Sequence, residues 1–129
     1  RTPNDRYIMR LSETYLLRAE AYFHKGDLAN AANDINVVRG RAQAKPVQPG
    51  QISLDYILDE RIRELVVEEP RRKTLVRLNK LYERTMKYNF RVKDNMEPYH
   101  ELWPIPQTAI DANTGAKLLQ NPGYPGAAE

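Results

Sequence analysis

Apolar and small side chains recur at helical spacing over residues 8–24, where Leu11, Tyr15, Ala19 and Tyr22 mark one stripe, and the spacing predicts an amphipathic helix. Gly26 ends it, because glycine tolerates a left-handed backbone, and Asp27 can accept free amide hydrogens at the start of the next helix. Leu28, Ala31, Ala32, Ile35 and Val38 form the inward face of that second helix, and the Ala31–Ala32 pair permits a close helix crossing. Residues 44–53, AKPVQPGQIS, break the pattern with two prolines and a glycine, and Ser53 predicts the N-cap of a third helix over Leu54–Glu69. Pro70 stops or kinks that helix, and can equally serve as the first residue of a fourth reaching roughly to Tyr88. Beyond Phe90 the periodicity fades. Pro98, Pro104, Pro106, Pro122 and Pro125 predict an extended, irregular tail with one helical turn near Gln107–Ala112.

The expected organisation is all-α: one domain over 1–129, with a helix pair at 8–43, a second at 54–89 and the irregular, proline-rich tail at 90–129 packed on them. Tyr15, Ala19, Tyr22, Gly26, Ala31 and Ile35 stand at the spacings used for packing by tetratricopeptide units of about 34 residues. One such unit leaves apolar faces that the tail or further sequence must cover.

Composition narrows the chemistry. There is no cysteine among the 129 residues, so neither disulfides nor thiolate chemistry is available. The net charge of +3 comes from 20 basic residues interspersed with 17 acidic ones, which argues against a nucleic-acid partner needing one concentrated basic face. No apolar run approaches the roughly 20 residues that cross a bilayer. Arg1 is neither an initiator methionine nor the start of a signal-peptide pattern, so the sequence is expected to be a fragment of a longer protein.

Glu60, Glu64 and Glu68 recur every four residues beside the apolar stripe Leu58, Ile62 and Leu65. Paired carboxylates at roughly 5 to 9.5 Å can cleave glycosidic bonds. Here Arg61, Arg63, Arg71 and Arg72 favour ionised carboxylates, whereas a general acid needs a raised pKa, so the row reads as a structural network with no catalytic residues. Arg71 is expected to join Glu64 or Glu68 across the Pro70 bend. His24 and His100 lack ligand spacing, Ser12 and Ser53 lack a base and orienter, and the glycines are scattered, so no metal, cofactor, hydrolase triad or phosphate loop is expected. Tyr82, Tyr88, Phe90, Tyr99, Trp103 and Tyr124 gather in the second half, where rings can fill a seam or cover the faces of sugars. Trp103, in ELWPIP, reads as seam. Tyr99 is the candidate ligand contact, and Lys87, Arg91 and Lys93 near the rings do not amount to a recognisable single-strand nucleic-acid module.

Four segments in order, RLSETYLLRAEAYFHKGDLANAANDINVVRGRA (10–42), ILDERIRELVVEEPRRKTLVRL (57–78), ELWPIPQTAI (101–110) and LLQNPGY (118–124), resemble the C-terminal part of the SusD/RagB family of outer-membrane nutrient-binding lipoproteins. The resemblance implies a mostly helical, non-enzymatic protein on the outer face of the bacterial outer membrane. It implies an oligosaccharide or other nutrient as ligand, a lipid anchor in the full-length protein, and a SusC-like, TonB-dependent transporter as partner. It also implies scaffold roles for Glu60, Arg61, Glu64, Leu65, Glu68, Arg71, Trp103, Pro104, Pro106, Asn121, Pro122, Gly123 and Tyr124, and it carries over no ligand residues. Two positions depart: Glu68-Glu69-Pro70-Arg71 replaces the usual Glu-Gly turn, and Thr74 stands where Asp is usual. A helical-repeat module for protein–protein contact is the alternative reading.

Overall fold

The computed structural model describes residues 8–127, which are all-α, with six helices and three short 3-10 turns. A lone bridge between Gln120 and Ala127 is the only β-type pairing among the described residues. The chain divides into two compact units, one ending at Pro70 and one starting at Arg71.

In the first unit α1 (Leu11–His24) and α2 (Leu28–Arg41) form a tetratricopeptide-like hairpin. Gly26 adopts the left-handed φ of 77° its position predicts, Asp27 N–H donates to the Tyr22 carbonyl at 2.9 Å, and the Asp27 carboxylate accepts from Asn30 N–H at 3.1 Å. Ala19, Ala31 and Ala32 lie buried in a core with Leu16, Ile35 and Val38. The α1 stripe is thus rotated from expectation: Leu16 is fully buried whereas Leu11 is 69% exposed. Asn36 anchors the loop after α2, its side chain donating to the Val47 carbonyl and accepting from the Val47 N–H, so that Val47 is buried.

Ser53 caps α3 (Leu54–Glu64) by accepting from Tyr56 N–H at 3.1 Å. α3 packs on α1, burying Ile57 and Leu58, and Leu65 joins the core while Ile62 is half exposed. The helix ends five residues before the expected Glu69. Leu65 N–H makes the last helical bond, to the Arg61 carbonyl, and Glu68 and Glu69 N–H both turn back to the Leu65 carbonyl. Val67 takes a φ of 70° in this turn, so the left-handed residue lies two positions upstream of the place where the family resemblance expects glycine.

The expected 54–89 helix pair is instead three helices, of which only α3 lies in the first unit. In the second unit α4 (Arg71–Arg77) and α5 (Leu81–Tyr88) are separated by a break at Leu78–Lys80. Asn79 sits there at a φ of 52°, a conformation its short polar side chain tolerates, and Lys80 N–H returns to the Leu75 carbonyl at 2.8 Å. The tail continues through irregular backbone to α6 (Gln107–Ala112), at the residues expected for a helical turn.

Candidate functional site

The acidic row is held by arginine on every member. Glu60, buried, accepts from Arg39 Nη1 at 2.8 Å and Arg63 Nη2 at 2.7 Å. Glu64 accepts from Arg10 Nη1 at 2.9 Å and Arg41 Nη2 at 2.8 Å, and Arg10 also reaches the Glu64 carbonyl and, through Nε, Glu68. Burial raises the Glu64 pKa, but the hydrogen bonds from Arg41 and Arg10 outweigh it, and the net shift is downward. A carboxyl held in its anionic form cannot serve as a general acid near neutrality. Glu64 and Glu68 are thus engaged from within the first unit by Arg10 and Arg41, which precede them by more than twenty residues.

Arg61 is the largest fully buried side chain of the first unit, and its Nε donates to Glu69 Oε1 at 2.8 Å. The Glu69 side chain is 2% exposed and Glu13 lies 3.7 Å from the same guanidinium. Glu69, one of the two departures from the family pattern, thus supplies the buried counter-charge of a signature arginine. Thr74, the other departure, is buried in α4.

In the second unit the tail closes on itself through side chains that bond main chain. Pro104 and Pro106 lack N–H groups, so the LWPIP strip cannot form a regular ladder. Four of its remaining groups are met from the terminal turn. Tyr124 OH donates to the Leu102 carbonyl at 2.9 Å and Asn121 Nδ2 to the Trp103 carbonyl at 2.7 Å. Gln120 exchanges two bonds with Ile105, accepting from its N–H at 2.7 Å and donating to its carbonyl at 2.8 Å. Gln120 does as much here as the signature residues around it, and the sign of it in the sequence is a primary amide facing a strip with too few donors of its own.

Tyr99, the candidate ligand contact, is built into this closure. Its ring meets Tyr124 edge-on with centroids 5.0 Å apart and lies so close over Gly123 that a Cβ there would overlap it. Gly123 also has a φ of 86°, so Pro122-Gly123 makes a turn open only to glycine. The strip is tied to α4 and α5 as well: Arg72 donates to the His100 carbonyl at 2.7 Å, and Glu101 accepts from Tyr82 N–H at 3.0 Å, capping the first turn of α5. Trp103 keeps its ring 70% exposed with the Arg72 guanidinium 4.4 Å from its centroid, so the expected seam residue presents an open indole on a pinned backbone. The histidines have local duties, His24 against Phe23 and His100 accepting from Glu97 N–H. The described residues contain no group of three metal ligands and no helix long and apolar enough to span a membrane.

A further opening lies in the first unit, where α1 begins and α2 ends: a largely apolar groove of about 490 Å³ bordered by Leu11, Tyr15, Val37, Val38 and Arg41. Leu11 and Val37 are exposed along it.

The family model of the SusD family matches residues 1–124. The chain is 36% identical over 124 residues to the starch-binding protein SusD of Bacteroides thetaiotaomicron, an alignment covering 91% of this chain and 21% of that protein. It is 34% identical over 119 residues to the SusD-like protein P25 of Formosa agariphila, covering 85% of this chain and 23% of the relative. The chain therefore spans about a fifth of the length of these curated relatives. No solved structure gives a significant match.

Proposed function

The chain belongs to the SusD family, and from that premise we propose that it forms the C-terminal scaffold of a non-catalytic protein that binds extracellular oligosaccharide. The observation that carries the reading is the match over residues 1–124 together with the likeness to a starch-binding protein. The side-chain chemistry is compatible with it: every acid of the one carboxylate row is paired with arginine, and Tyr99 serves the scaffold through Gly123 and Tyr124. Delivery to a SusC-like, TonB-dependent transporter, a lipid anchor and a place on the outer face of the outer membrane complete the proposal.

Binding is tested by passing the full-length protein over immobilised glycans and analysing the sugars afterwards. Retention with unchanged chain lengths is expected. Absence of retention across neutral and acidic glycans overturns the reading, and shortened products would make the protein an enzyme. Co-purification with an outer-membrane transporter from detergent extracts tests delivery. The groove beside Leu11 and Val37 favours a second reading, in which the hairpin contacts another polypeptide, because exposed apolar side chains on a repeat-like pair are stacking surface. Leu11→Glu would then release the partner and leave glycan retention intact.

A further inference from the structure

The stretch from Arg84 to Lys93, RTMKYNFRVK, carries four cations and no acid. It covers the last turn of α5 and the bend beyond it, and every residue from Met86 to Asn95 is exposed. Rings and charges lie together: the buried Arg84 guanidinium and the Lys87 ammonium lie 4.8 and 5.0 Å from the Tyr88 centroid, and the Arg91 guanidinium lies 5.8 Å from that of Phe90. Phe90 is 75% exposed. Among the described residues Arg91 and Lys93 enter no ion pair, and the nearest acids in sequence are outside the stretch, Glu83 bonded to Lys80 and Asp94 in the following 3-10 turn. In the first unit, by contrast, Arg10, Arg39, Arg41 and Arg61 all meet carboxylates.

An open ring, Phe90, beside Arg91 and Lys93, which meet no carboxylate among the described residues, matches a ligand that has flat apolar faces and fixed negative charges on one polymer. We infer that Tyr88, Phe90, Arg91 and Lys93 form a contact surface for an acidic polysaccharide, one bearing carboxylates or sulfates on its sugar rings. Phe90 covers the C–H face of a ring, and Arg91 and Lys93 take the anionic groups, the guanidinium through paired donors and the ammonium as a point charge. The inference rests on the proposed glycan-binding function and narrows its ligand class. Single-stranded nucleic acid and an anionic lipid surface present some of the same chemistry, but the relative most informative about ligand is named for binding a polysaccharide.

The test uses the full-length protein in affinity electrophoresis with polygalacturonate and chondroitin sulfate as acidic probes and amylopectin as the neutral one. Oligo-dT and phosphatidylglycerol vesicles are run in parallel. Retention by at least one acidic glycan is expected, weakening with added salt. Phe90→Ala, and separately the double variant Arg91→Ala/Lys93→Ala, should each weaken it about tenfold, the scale of one stacking or charge-assisted contact. Phe90→Tyr and Arg91→Lys/Lys93→Arg should restore most of it, and circular dichroism should be the same for all, since these side chains are exposed. Retention by amylopectin alone, or acidic retention unmoved by the variants, overturns the inference and leaves glycan binding standing. Equal retention by oligo-dT or vesicles also overturns it, leaving a surface for polyanions in general. Failure with every glycan overturns the proposed function along with it.

Discussion

In the first unit guanidinium–carboxylate pairs link distant segments around an apolar core, whereas in the second Gln120, Asn121 and Tyr124 bond main-chain groups of an irregular strip. The difference follows from the secondary structure. Helices α1 to α3 satisfy their own backbone, so their side chains are free to be charged and to bind one another across the hairpin. The proline-rich strip has no ladder and no helix, so Gln120, Asn121 and Tyr124 must do for Leu102–Ile105 what a neighbouring strand does in a sheet. The first unit should thus be sensitive to loss of charge partners, and the second to changes that alter the shape of one turn.

The largest expected effect lies at Arg61. Arg61→Ala removes the fully buried guanidinium that donates to the buried Glu69 carboxylate and should destabilise the first unit by about 3 to 5 kcal/mol, the usual cost of breaking a buried pair from one side. Arg61→Met combined with Glu69→Met should recover most of that, since two apolar side chains of similar volume need no partners. Chemical denaturation of the single and double variants measures the coupling. If the losses simply add, the pair is not the support of the Leu65–Glu69 turn.

Gly123→Ala is the corresponding break in the second unit. The added methyl overlaps the Tyr99 ring, and alanine at a φ of 86° is strained in any case. Crowding of about 1 to 3 kcal/mol together with a left-handed cost of about 1 to 2 gives a loss of about 2 to 4 kcal/mol. Hydrogen exchange should show the loss at Trp103–Ile105 and Asn121–Tyr124, with amides of α1 and α2 protected as before. Equal loosening of α1 and α2 would mean that the two units do not respond separately.

How much of this could be read in the sequence depended on whether a signal was local. Asp27, Gly26 and Ser53 were legible because a cap or a turn is decided within three or four residues. The terminal turn was legible as a motif, yet its duty was not: Gln120 and Ile105 are fifteen residues apart and no periodicity connects them. Pro70 is the visible stop for the third helix in the sequence, and nothing local marks Val67 as the left-handed residue that accompanies its earlier end. Spacing alone puts Leu11 on the inward stripe, but a stripe does not say which of its edges faces the neighbour, and Leu16 takes the buried place. The arginine partners of Glu64 are as illegible locally as the partner of Gln120, since Arg10 and Arg41 lie on other segments.

A third, smaller effect separates the units by pH. The Glu64 pKa, raised by burial but lowered further by Arg41 and Arg10, is net depressed from its ordinary value of 4.5. A carboxyl lowered in the folded state stabilises fully above the unfolded value and loses that contribution as pH falls through the folded one. Asp27 is shifted in the same direction, chiefly by its bonds from the Asn30 side chain and backbone. The first unit should therefore weaken below about pH 4.5, and Glu64→Gln should be less stable at neutrality but show a flatter acid limb. Monitoring α1 and α2 by hydrogen exchange across pH 3 to 7 reads this. An acid limb as steep in Glu64→Gln as in the parent would assign it to other carboxylates.

The smallest expected effect has the opposite sign. Val67 is 98% exposed, so it contributes no burial, and it holds a φ of 70°, a conformation that costs a β-branched residue about 1 to 2 kcal/mol. Val67→Gly removes that strain but gives the unfolded chain more freedom, at about 0.5 to 1 kcal/mol. The balance is a gain of about 0.5 kcal/mol, confined to the first unit. Val67→Ala is the control, because alanine keeps a Cβ in the left-handed region and retains most of the cost. A difference between the two variants in the denaturation midpoint, with the slope unchanged, would assign the gain to backbone conformation. Equal midpoints would assign Val67 no strain and leave the early end of α3 to the pull of Arg61 on Glu69.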